Sequence, residues 1–382
     1  MKVIVFILAY LPGYKAGGPL QSIVNLVEAC SDEFEFYIVA PDRDLGDTKA
    51  YPDIVYNQWV QVGKAKVRYL SPEQQNLKTI RHTLSEDKFD AMYLNSVWCK
   101  CWTIYPLIAN FWAGPRLPVI QAVRGSLGDK PIRSKAYKKK PFLFLFYKLF
   151  GFAEKVVFQC SSQQEADYVR QSMGSKVQVC IVPNVPGVNI VKKPIASKQN
   201  GQIKLVFISR ISRIKNLDGA LESLKYVSTH VEFSIYGVQQ DSDYWQKCLN
   251  IINQLPNNIK VEYKGELESK YVVDELSQYD CLFFPTHHEN FGHVIHEALR
   301  AGLPVLTGKN TPWQQMQDEE CGWLRDSTDH KGFAEIIDSL AEKSPDEFYD
   351  IKVRALNFAH KFAVSNNIVT ENIEMFKRLL KK

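Results

Sequence analysis

Residues 281–297 read CLFFPTHHENFGHVIHE, an apolar run that gives way to a polar loop and then to a helical pattern. The apolar run, Cys281–Pro285, is typical of a buried strand, and the helical pattern begins after Gly292. A strand that ends in a loop and opens into a helix is where open α/β sheets bind ligands. The unsatisfied N–H groups at the helix start favour an anionic group there.

Two glutamates of this segment are candidate ligand-binding residues. Glu289 lies in the predicted loop and Glu297 about two turns into the predicted helix, roughly 12 Å further along the helix axis. At that separation we expect the two carboxylates to contact different parts of one long ligand. An acidic helix on any Rossmann-like domain is the alternative interpretation.

The segment resembles the E-x7-E signature of glycosyltransferase family 4, whose members are retaining enzymes with the two-domain GT-B fold. The stretch Ala298–Leu306 is similar to the helix and strand that follow this signature, and Thr311–Trp313 and Cys321–Trp323 are similar to features of a bacterial polysaccharide-biosynthesis branch. The resemblance implies that Glu289 contacts the donor sugar and that Glu297 holds the nucleotide ribose.

The resemblance also implies substrate contacts from the residues that follow Glu289. The backbone of Asn290, Phe291 and Gly292 is expected to position the donor sugar together with the Glu289 carboxylate. Members of this family need neither a metal nor a cofactor, so none is expected here.

The composition is that of a soluble globular protein. Its 382 residues suffice for two domains, with 45% apolar and 23% charged residues. The net charge of +5 suits an anionic substrate or membrane surface and does not by itself indicate nucleic acid. Eight cysteines without CxxC or Cys/His ligand spacing argue against zinc and favour a reducing cytosol. The apolar first residues predict a buried strand instead of a signal peptide, and no run reaches the ~18 apolar residues of a membrane span.

Strand and helix patterns alternate along both halves of the chain, which predicts parallel sheets covered by helices on both faces. Helical patterns include residues 19–30, 104–111 and 135–150. The predicted strands lie at residues 2–9, 35–40, 66–69, 91–95, 118–122, 156–160 and 178–182, and then at 204–208, 232–236, 261–263, 281–285 and 304–307.

Turn formers and polar residues interrupt the alternation after residue 183, which places a linker at 186–201. We therefore predict a Rossmann-like acceptor-binding domain over residues 1–185 and a Rossmann-like nucleotide-sugar-binding domain over 202–365. A final helix within 366–382 is expected to pack back on the first domain. Two doubly wound parallel-sheet domains that face a cleft form the GT-B architecture.

Two cations follow the first strand of the second domain. Arg210 and Lys215 lie five residues apart in a strand-to-helix loop, from which both can reach a diphosphate. They match the Arg and Lys pair of the resembled family, which neutralises the leaving diphosphate in place of a metal. A solvated basic turn is the alternative, and Arg213 is interpreted as a surface charge.

Two loops of the first domain are further candidates. Gly17 and Gly18 lie between the first strand and the first helix, where glycines let backbone N–H groups approach a phosphate or sugar. They resemble the family's Gly-Gly loop, which faces the donor. Asn95 stands where many family members carry a histidine, and it can hydrogen-bond a sugar hydroxyl without titrating. Arg124 follows another strand and could hold a phosphate or serve the structure.

Residues 135–150 mix lysines with aromatic residues. A basic amphipathic helix at an anionic bilayer has this composition, and lipid-linked acceptors are used at such surfaces. A helix with an aromatic core face and solvated lysines has it too, and single-strand nucleic-acid binding is only weakly supported. Asp42-Arg43-Asp44 resembles the metal-binding D-x-D of the other glycosyltransferase fold, GT-A, but lacks its surroundings and is interpreted as a turn.

The function that these observations favour is a retaining, metal-independent transfer of a sugar from a nucleotide diphosphate donor to a saccharide hydroxyl, with a lipid-linked acceptor. The expected location is the cytoplasm, including peripheral contact with the inner face of the plasma membrane. Two alternatives remain open at this point. One is a GT-B nucleotide-sugar epimerase or hydrolase, and the other is a non-catalytic sugar-nucleotide sensor or assembly subunit.

Overall fold

The computed structural model describes residues 1–128, 136–187, 191, 201–365 and 367–380. Within it the chain divides into two compact units. The first consists of Met1–Val185 together with Asn367–Lys382, and the second is Pro186–Asn366. Most of the predicted linker, residues 186–201, lies outside the described residues, as does Lys135 at the start of the predicted basic helix.

The first unit is built on an eight-stranded sheet of order β3-β4-β2-β1-β5-β6-β7-β8. All neighbouring strands are parallel except β3 and β4, which form an antiparallel pair. The central strands are almost entirely apolar and buried, as expected where helices cover both faces. The strands are β1 (Lys2–Phe6), β2 (Glu35–Pro41), β3 (Trp59–Val62), β4 (Ala65–Leu70), β5 (Ala91–Leu94), β6 (Val119–Ala122), β7 (Val157–Cys160) and β8 (Gln178–Ile181).

The helices of the first unit lie between these strands. Short π-helical segments precede or extend two of them, at Lys100–Ile104 and Leu143–Leu149. The α-helices are α1 (Gly18–Cys30), α2 (Leu77–Ser85), α3 (Tyr105–Ala113), α4 (Ala136–Phe142) and α5 (Gln163–Met173).

The second unit has a six-stranded parallel sheet of order β11-β10-β9-β12-β13-β14. The chain moves outward from β9 in one direction and then returns to β12 on its other side, so the order reverses between β9 and β12. The strands are β9 (Gln202–Ile208), β10 (His230–Tyr236), β11 (Ile259–Gly265), β12 (Cys281–Phe284), β13 (Val305–Gly308) and β14 (Gly322–Arg325).

Helices again connect the strands of the second unit, and a long helix follows its last strand. They are α6 (Leu217–Leu224), α7 (Ser242–Ile252), α8 (Val272–Leu276), α9 (His293–Arg300), α10 (Gln315–Asp318), α11 (His330–Glu342) and α12 (Pro345–Ser365). In the described part of the chain no helix is both long and apolar enough to cross a membrane.

The final helix, α13 (Ile368–Leu380), belongs to the first unit. The Phe376 side chain is fully buried, with its ring centroid 5.3 Å from that of Phe34 and 5.5 Å from that of Tyr93. At the surface, Lys377 Nζ lies 2.7 Å from Glu33 Oε2. The last helix thus completes the core of the unit in which the chain begins.

The predicted α/β class and doubly wound organisation are confirmed by the two sheets. Each predicted strand overlaps an observed one. The central strands are recognisable because buried parallel strands are continuous apolar runs. Two edge strands, β3 and β14, were not predicted. Trp59–Val62 and Gly322–Arg325 lie at the edges of their sheets and are largely half-buried, unlike the central strands.

Candidate functional site

The candidate site of the second unit lies where the sheet order reverses. Strands β9 and β12 are parallel neighbours, with Cys281 paired to Leu205 and Leu282 to Val206. Their carboxyl ends therefore lie at the same edge of the sheet, which brings the loop after β9 next to the loop after β12. This is the position at which open α/β sheets bind ligands.

Backbone and side-chain hydrogen bonds hold these two loops together. His287 N donates to Ile214 O at 3.0 Å, and Thr286 Oγ1 donates to the same carbonyl at 3.1 Å. Asn216 lies almost fully buried between the loops, and its Nδ2 donates to Pro285 O at 2.8 Å and to Ser327 O at 2.9 Å. The positive φ of Asn216, +61°, suits asparagine and ends the loop just before α6.

The three predicted catalytic residues come together across this loop pair. Lys215 Nζ donates to Glu289 Oε1, and the two side chains are only 16% and 10% exposed. Thr286 Oγ1 lies 3.3 Å from the same carboxylate oxygen. Burial lowers the pKa of the Arg210 guanidinium from its ordinary value, and the nearby Glu289 carboxylate opposes that shift. Arg210 Nη1 also donates to Gln240 at 3.4 Å.

Arg213 differs from its neighbours in the same loop. Its side chain is 66% exposed, and its Nε lies 3.3 Å from Asp241 Oδ2. The loop thus separates an outward cation from the two cations that lie near Glu289, in agreement with the interpretation of Arg213 as a surface charge.

The residues that follow Glu289 form the start of α9. Gly292 precedes the helix with φ +77°, a conformation that glycine adopts without strain. Among the described residues none accepts a hydrogen bond from the backbone N–H of Asn290, Phe291 or Gly292. Asn290 Oδ1 lies 3.0 Å from His288 Nε2, whereas the Phe291 ring is buried beneath the loop. Within the described part of the chain, these three successive N–H groups thus have no acceptor.

Glu297 lies further along α9, as its spacing predicts. Burial raises the pKa of its carboxyl to about 7, and the positive charge of Arg300 opposes that shift. Arg300 is itself buried, and Gly187 packs so closely on it that a Cβ there would lie 2.2 Å from Nη1. Arg300 thus lies near Glu297, the residue that is predicted to hold the ribose. The E-x7-E motif gave no sign of this neighbour.

In the first unit, Gly17 precedes α1 and Gly18 is its first residue, so the two glycines lie where the predicted loop meets the helix. Gly17 has φ +63° and no atom within 4 Å of where a Cβ would lie, so the loop surface is open at this point. Asp44 stabilises the loop that precedes these glycines. Its Oδ2 accepts hydrogen bonds from Tyr14 N at 2.7 Å and from Lys15 N at 3.1 Å. The D-x-D segment therefore supports a loop through Asp44, a role that its sequence did not indicate.

Asn95 and Arg124 of the first unit contact each other. Arg124 Nη2 donates to Asn95 Oδ1 at 2.9 Å and to Tyr93 OH at 3.1 Å, and Nη1 donates to Asn184 Oδ1. Arg124 has φ +52°, and Asn95 is 7% exposed. The guanidinium of Arg124 thus hydrogen-bonds neighbouring side chains, which favours a structural role for Arg124 over phosphate binding.

No group of three or more His, Cys, Asp or Glu side chains that could hold a metal ion occurs in the described part of the chain. The predicted site residues instead form two sets. Arg210, Lys215 and Glu289–Gly292 lie together in the second unit with Glu297 on the helix that follows, and the first unit carries Gly17, Gly18, Asn95 and Arg124.

The second unit contains a stretch that matches a known protein family. Residues 190–352 match the family "Glycosyl transferases group 1". Over 149 residues the chain is 26% identical to the capsular polysaccharide biosynthesis glycosyltransferase CapM of Staphylococcus aureus, which covers 37% of each protein. Over 242 residues it is 23% identical to the GtfA subunit of the UDP-N-acetylglucosamine–peptide N-acetylglucosaminyltransferase of Streptococcus pneumoniae serotype 4, covering 60% of this chain and 46% of that protein. The chain thus spans less than half the length of either curated relative.

The whole fold matches solved structures. The crystal structure of HepE from Anabaena in complex with UDP and glucose superposes with a TM-score of 0.71 over 100% of both chains, at 16% sequence identity. That likeness extends the correspondence from the matched family segment to both units. Residues 190–352 therefore match the Glycosyl transferases group 1 family, and the chain as a whole has the GT-B fold that its sequence motifs indicated.

Proposed function

We propose that the chain is a retaining glycosyltransferase that moves a sugar from a nucleotide diphosphate donor to a hydroxyl of a lipid-linked saccharide in cell-surface polysaccharide synthesis. The observation that carries this proposal is the contact between Lys215 and Glu289. It joins the cationic loop and the E-x7-E segment at the sheet edge where α/β domains bind ligands. The likeness to CapM and to a UDP- and glucose-bound structure supports the same reaction class.

Arg210 and Lys215 bind the diphosphate of the donor. Arginine offers a planar fork and lysine a point charge, and together they match the two phosphates. As the bond between sugar and phosphate breaks, negative charge grows on the leaving diphosphate, and fixed cations stabilise it without reorganisation. This chemistry needs no metal, in keeping with the proposal that the enzyme is metal-independent.

Glu289 and the three N–H groups that follow it position the sugar. The carboxylate accepts hydrogen bonds from sugar hydroxyls, whereas the N–H groups of Asn290, Phe291 and Gly292 donate to hydroxyl oxygens of the sugar. Glu297 accepts from the ribose hydroxyls. The acceptor hydroxyl attacks the anomeric carbon from the face that the diphosphate leaves, and the leaving phosphate takes its proton, so the configuration is retained.

In the first unit, Gly17, Gly18 and Asn95 contribute substrate contacts in this proposal. The open surface at Gly17 lets a ligand approach the backbone at the start of α1. The amide of Asn95 hydrogen-bonds a sugar hydroxyl, while Arg124 holds that amide in place through its Oδ1.

Calorimetric titration tests the donor assignment. UDP, GDP and ADP are titrated into the wild-type protein and into an Arg210→Ala/Lys215→Ala double variant, in EDTA and without added metal. We expect one nucleotide to bind and the double variant to lose at least ten-fold in affinity, since each charged hydrogen bond contributes about 1.5–3 kcal/mol. Arg213→Ala serves as the control from the same loop. If no nucleotide binds, the result would favour the alternative that the chain is a non-catalytic sensor or assembly subunit.

Retention and transfer need a separate assay. The sugar conjugate of the nucleotide that binds is incubated with saccharide acceptors, and the product's anomeric configuration is read by NMR. Retention requires the same configuration as in the donor. Consumption of the donor without any acceptor would instead point to the epimerase or hydrolase alternative.

The surface of residues 136–150 supports peripheral contact with a membrane on the cytoplasmic side. Leu143, Phe146 and Tyr147 are buried in the core, whereas Phe144 and Leu149 are 58% and 63% exposed. The exposed aromatic surface continues through Phe150 to Trp112, whose ring centroids lie 5.9 Å apart. Lysines 138, 140 and 148 are exposed in the same segment. This combination suits an anionic bilayer, because the apolar side chains can insert into it while the lysines contact its headgroups.

Vesicle sedimentation tests the membrane contact. The wild-type protein is expected to sediment with vesicles that contain phosphatidylglycerol and to stay in solution with phosphatidylcholine alone. A Phe144→Ser/Leu149→Ser variant should lose this binding, whereas a Tyr226→Ser/Tyr271→Ser variant, which changes exposed residues of the second unit, should keep it. Equal binding by both variants would contradict the assignment.

A further inference from the structure

An aromatic cluster lies directly beneath the loop that begins with Glu289. It consists of Phe291, His296, Trp313, Phe358 and Phe362, and we call it the Trp313 cluster. The Trp313 ring lies 5.4 Å from Phe291, 5.6 Å from His296 at an interplanar angle of 18°, and 4.7 Å from Phe362. Trp313 is 3% exposed, so its indole N–H must find its hydrogen-bond partner inside the protein.

That partner is the backbone carbonyl of Phe291. Trp313 Nε1 donates to Phe291 O, which ties the loop to a residue that lies 22 positions further along the chain. The C=O and N–H of a trans peptide are held in one plane and point in opposite directions. Because the indole fixes the Phe291 carbonyl, it also fixes the Gly292 N–H, which points away from Trp313.

The Gly292 N–H is one of the three donors that have no acceptor among the described residues. The peptide that carries it lies beside Glu289, since a Cβ on Gly292 would lie 3.5 Å from Glu289 Cγ. The positive φ of Gly292 leaves this peptide few steric restraints of its own. Trp313 therefore supplies an orientation that the loop sequence does not enforce.

We propose that Trp313 is a positioning residue that aims the Phe291–Gly292 peptide at the sugar of the donor. The inference rests on the proposed function, because it assigns the sugar to this loop. Trp313 touches no substrate in this arrangement and acts through the backbone. Since the diphosphate is assigned to Arg210 and Lys215, loss of the indole N–H should weaken recognition of the sugar and leave recognition of the nucleotide unchanged.

The test compares two ligands in two variants. Trp313→Phe keeps an aromatic ring and removes the N–H, and Trp323→Phe is the matched control, a partly buried tryptophan of the same unit packed against the same core. Calorimetry measures the affinity for UDP, GDP and ADP and for UDP-glucose, GDP-mannose and ADP-glucose. Amide hydrogen exchange is followed at residues 290–292.

In Trp313→Phe we expect the ratio of nucleotide-sugar affinity to nucleotide affinity to fall about five- to ten-fold, the equivalent of one hydrogen bond. The kcat for transfer should fall by at least as much, and exchange at residues 290–292 should accelerate while the rest of the second unit is unchanged. The control should match the wild type in every readout. A merely structural tryptophan would instead lower both affinities together or lower only the Tm.

Three results overturn the proposal. They are an unchanged affinity ratio, an equal loss of nucleotide and nucleotide-sugar affinity, and unchanged exchange at residues 290–292. If the wild-type protein binds none of the six ligands, the proposed function fails, and amide exchange then decides the role of Trp313 by itself. If Trp313→Phe unfolds at the assay temperature, Phe362→Leu, which loosens the same indole from beneath, replaces it in the exchange experiment.

Discussion

Lys215 and Glu289 form an ion pair in the second unit although 74 residues separate them in the chain. Each residue belongs to a different motif, and neither motif alone indicates the other's position. The pair forms because β9 and β12 are neighbours in the sheet, which places the loops that follow them side by side. Each of the two charges is thus partly neutralised by the other.

Replacement of Glu289 by alanine should separate chemistry from nucleotide binding. We expect kcat to fall by about 10²–10³-fold, the usual effect of removing a group that acts on the transition state. Nucleotide affinity should stay within a few-fold or rise, because Lys215 no longer has a competing carboxylate. Transfer kinetics and calorimetry measure the two effects. The control is Glu268→Ala, which removes an exposed carboxylate that lies 2.9 Å from Lys270 Nζ. A large loss of nucleotide affinity in Glu289→Ala, but not in the control, would mean that Glu289 binds the nucleotide.

Glu297 should make the stability of the second unit depend on pH. Burial raises its pKa to about 7 in the folded protein, from about 4.3 in an unfolded chain. The folded state therefore binds more protons between these values, and stability falls as the pH rises from about 4.5 to 7. Glu297→Gln removes this loss, so its advantage over the wild type should grow by about 3 kcal/mol between pH 4.5 and pH 8. Urea unfolding across this range measures the difference, and Glu335→Gln, on an exposed helix position, should show no such trend.

Arg124 should matter more for the stability of the first unit than for ligand affinity. Arg124→Ala leaves Asn95 Oδ1 and Tyr93 OH without their donor inside the protein, which costs about 2–3 kcal/mol. Thermal unfolding should show a lower Tm for this variant and an unchanged Tm for Arg81→Ala, whose side chain is exposed. A normal Tm together with weakened substrate binding would restore Arg124 to the substrate-binding residues.

Phe376 should anchor the final helix to the first unit. Phe376→Ala removes a fully buried ring that packs on Phe34 and Tyr93, and such a cavity costs about 3–5 kcal/mol. Lys377→Ala, which removes a half-exposed ion pair with Glu33, should cost less than about 1 kcal/mol. In Phe376→Ala, amide exchange should show a loss of protection in the first unit. A loss of protection in the second unit would contradict the assignment of the helix to the first.

The sequence predicts which segments form strands better than it predicts the order of those strands in each sheet. Buried parallel strands such as Val305–Gly308 are apolar runs and can be recognised, whereas the half-exposed edge strand Trp59–Val62 cannot. The motifs identify Lys215 and Glu289 as candidates, but their contact depends on which strands are neighbours. The order of the strands is set by long-range packing and leaves no local pattern in the chain.

The supporting residues of the candidate site are hidden from sequence analysis for a different reason. Asn216, Trp313 and Asp44 act by donating to or accepting from backbone groups of distant loops. Any asparagine, tryptophan or aspartate can do so, and only the fold selects the partner. Thr311–Trp313 was noted as a feature shared with polysaccharide enzymes, yet its spacing gives no hint of the carbonyl that the indole contacts.

The assignment of α13 to the first unit has a consequence for biosynthesis. Pro186–Asn366 is one continuous stretch, and the ribosome makes it between the two segments of the first unit, Met1–Val185 and the final helix. Until then the first unit lacks the ring that covers Phe34 and Tyr93. Multidomain chains usually fold from the amino terminus during synthesis. Here we expect the first unit, although most of it is synthesised first, to complete its native core only when the final helix has emerged, no earlier than the second unit.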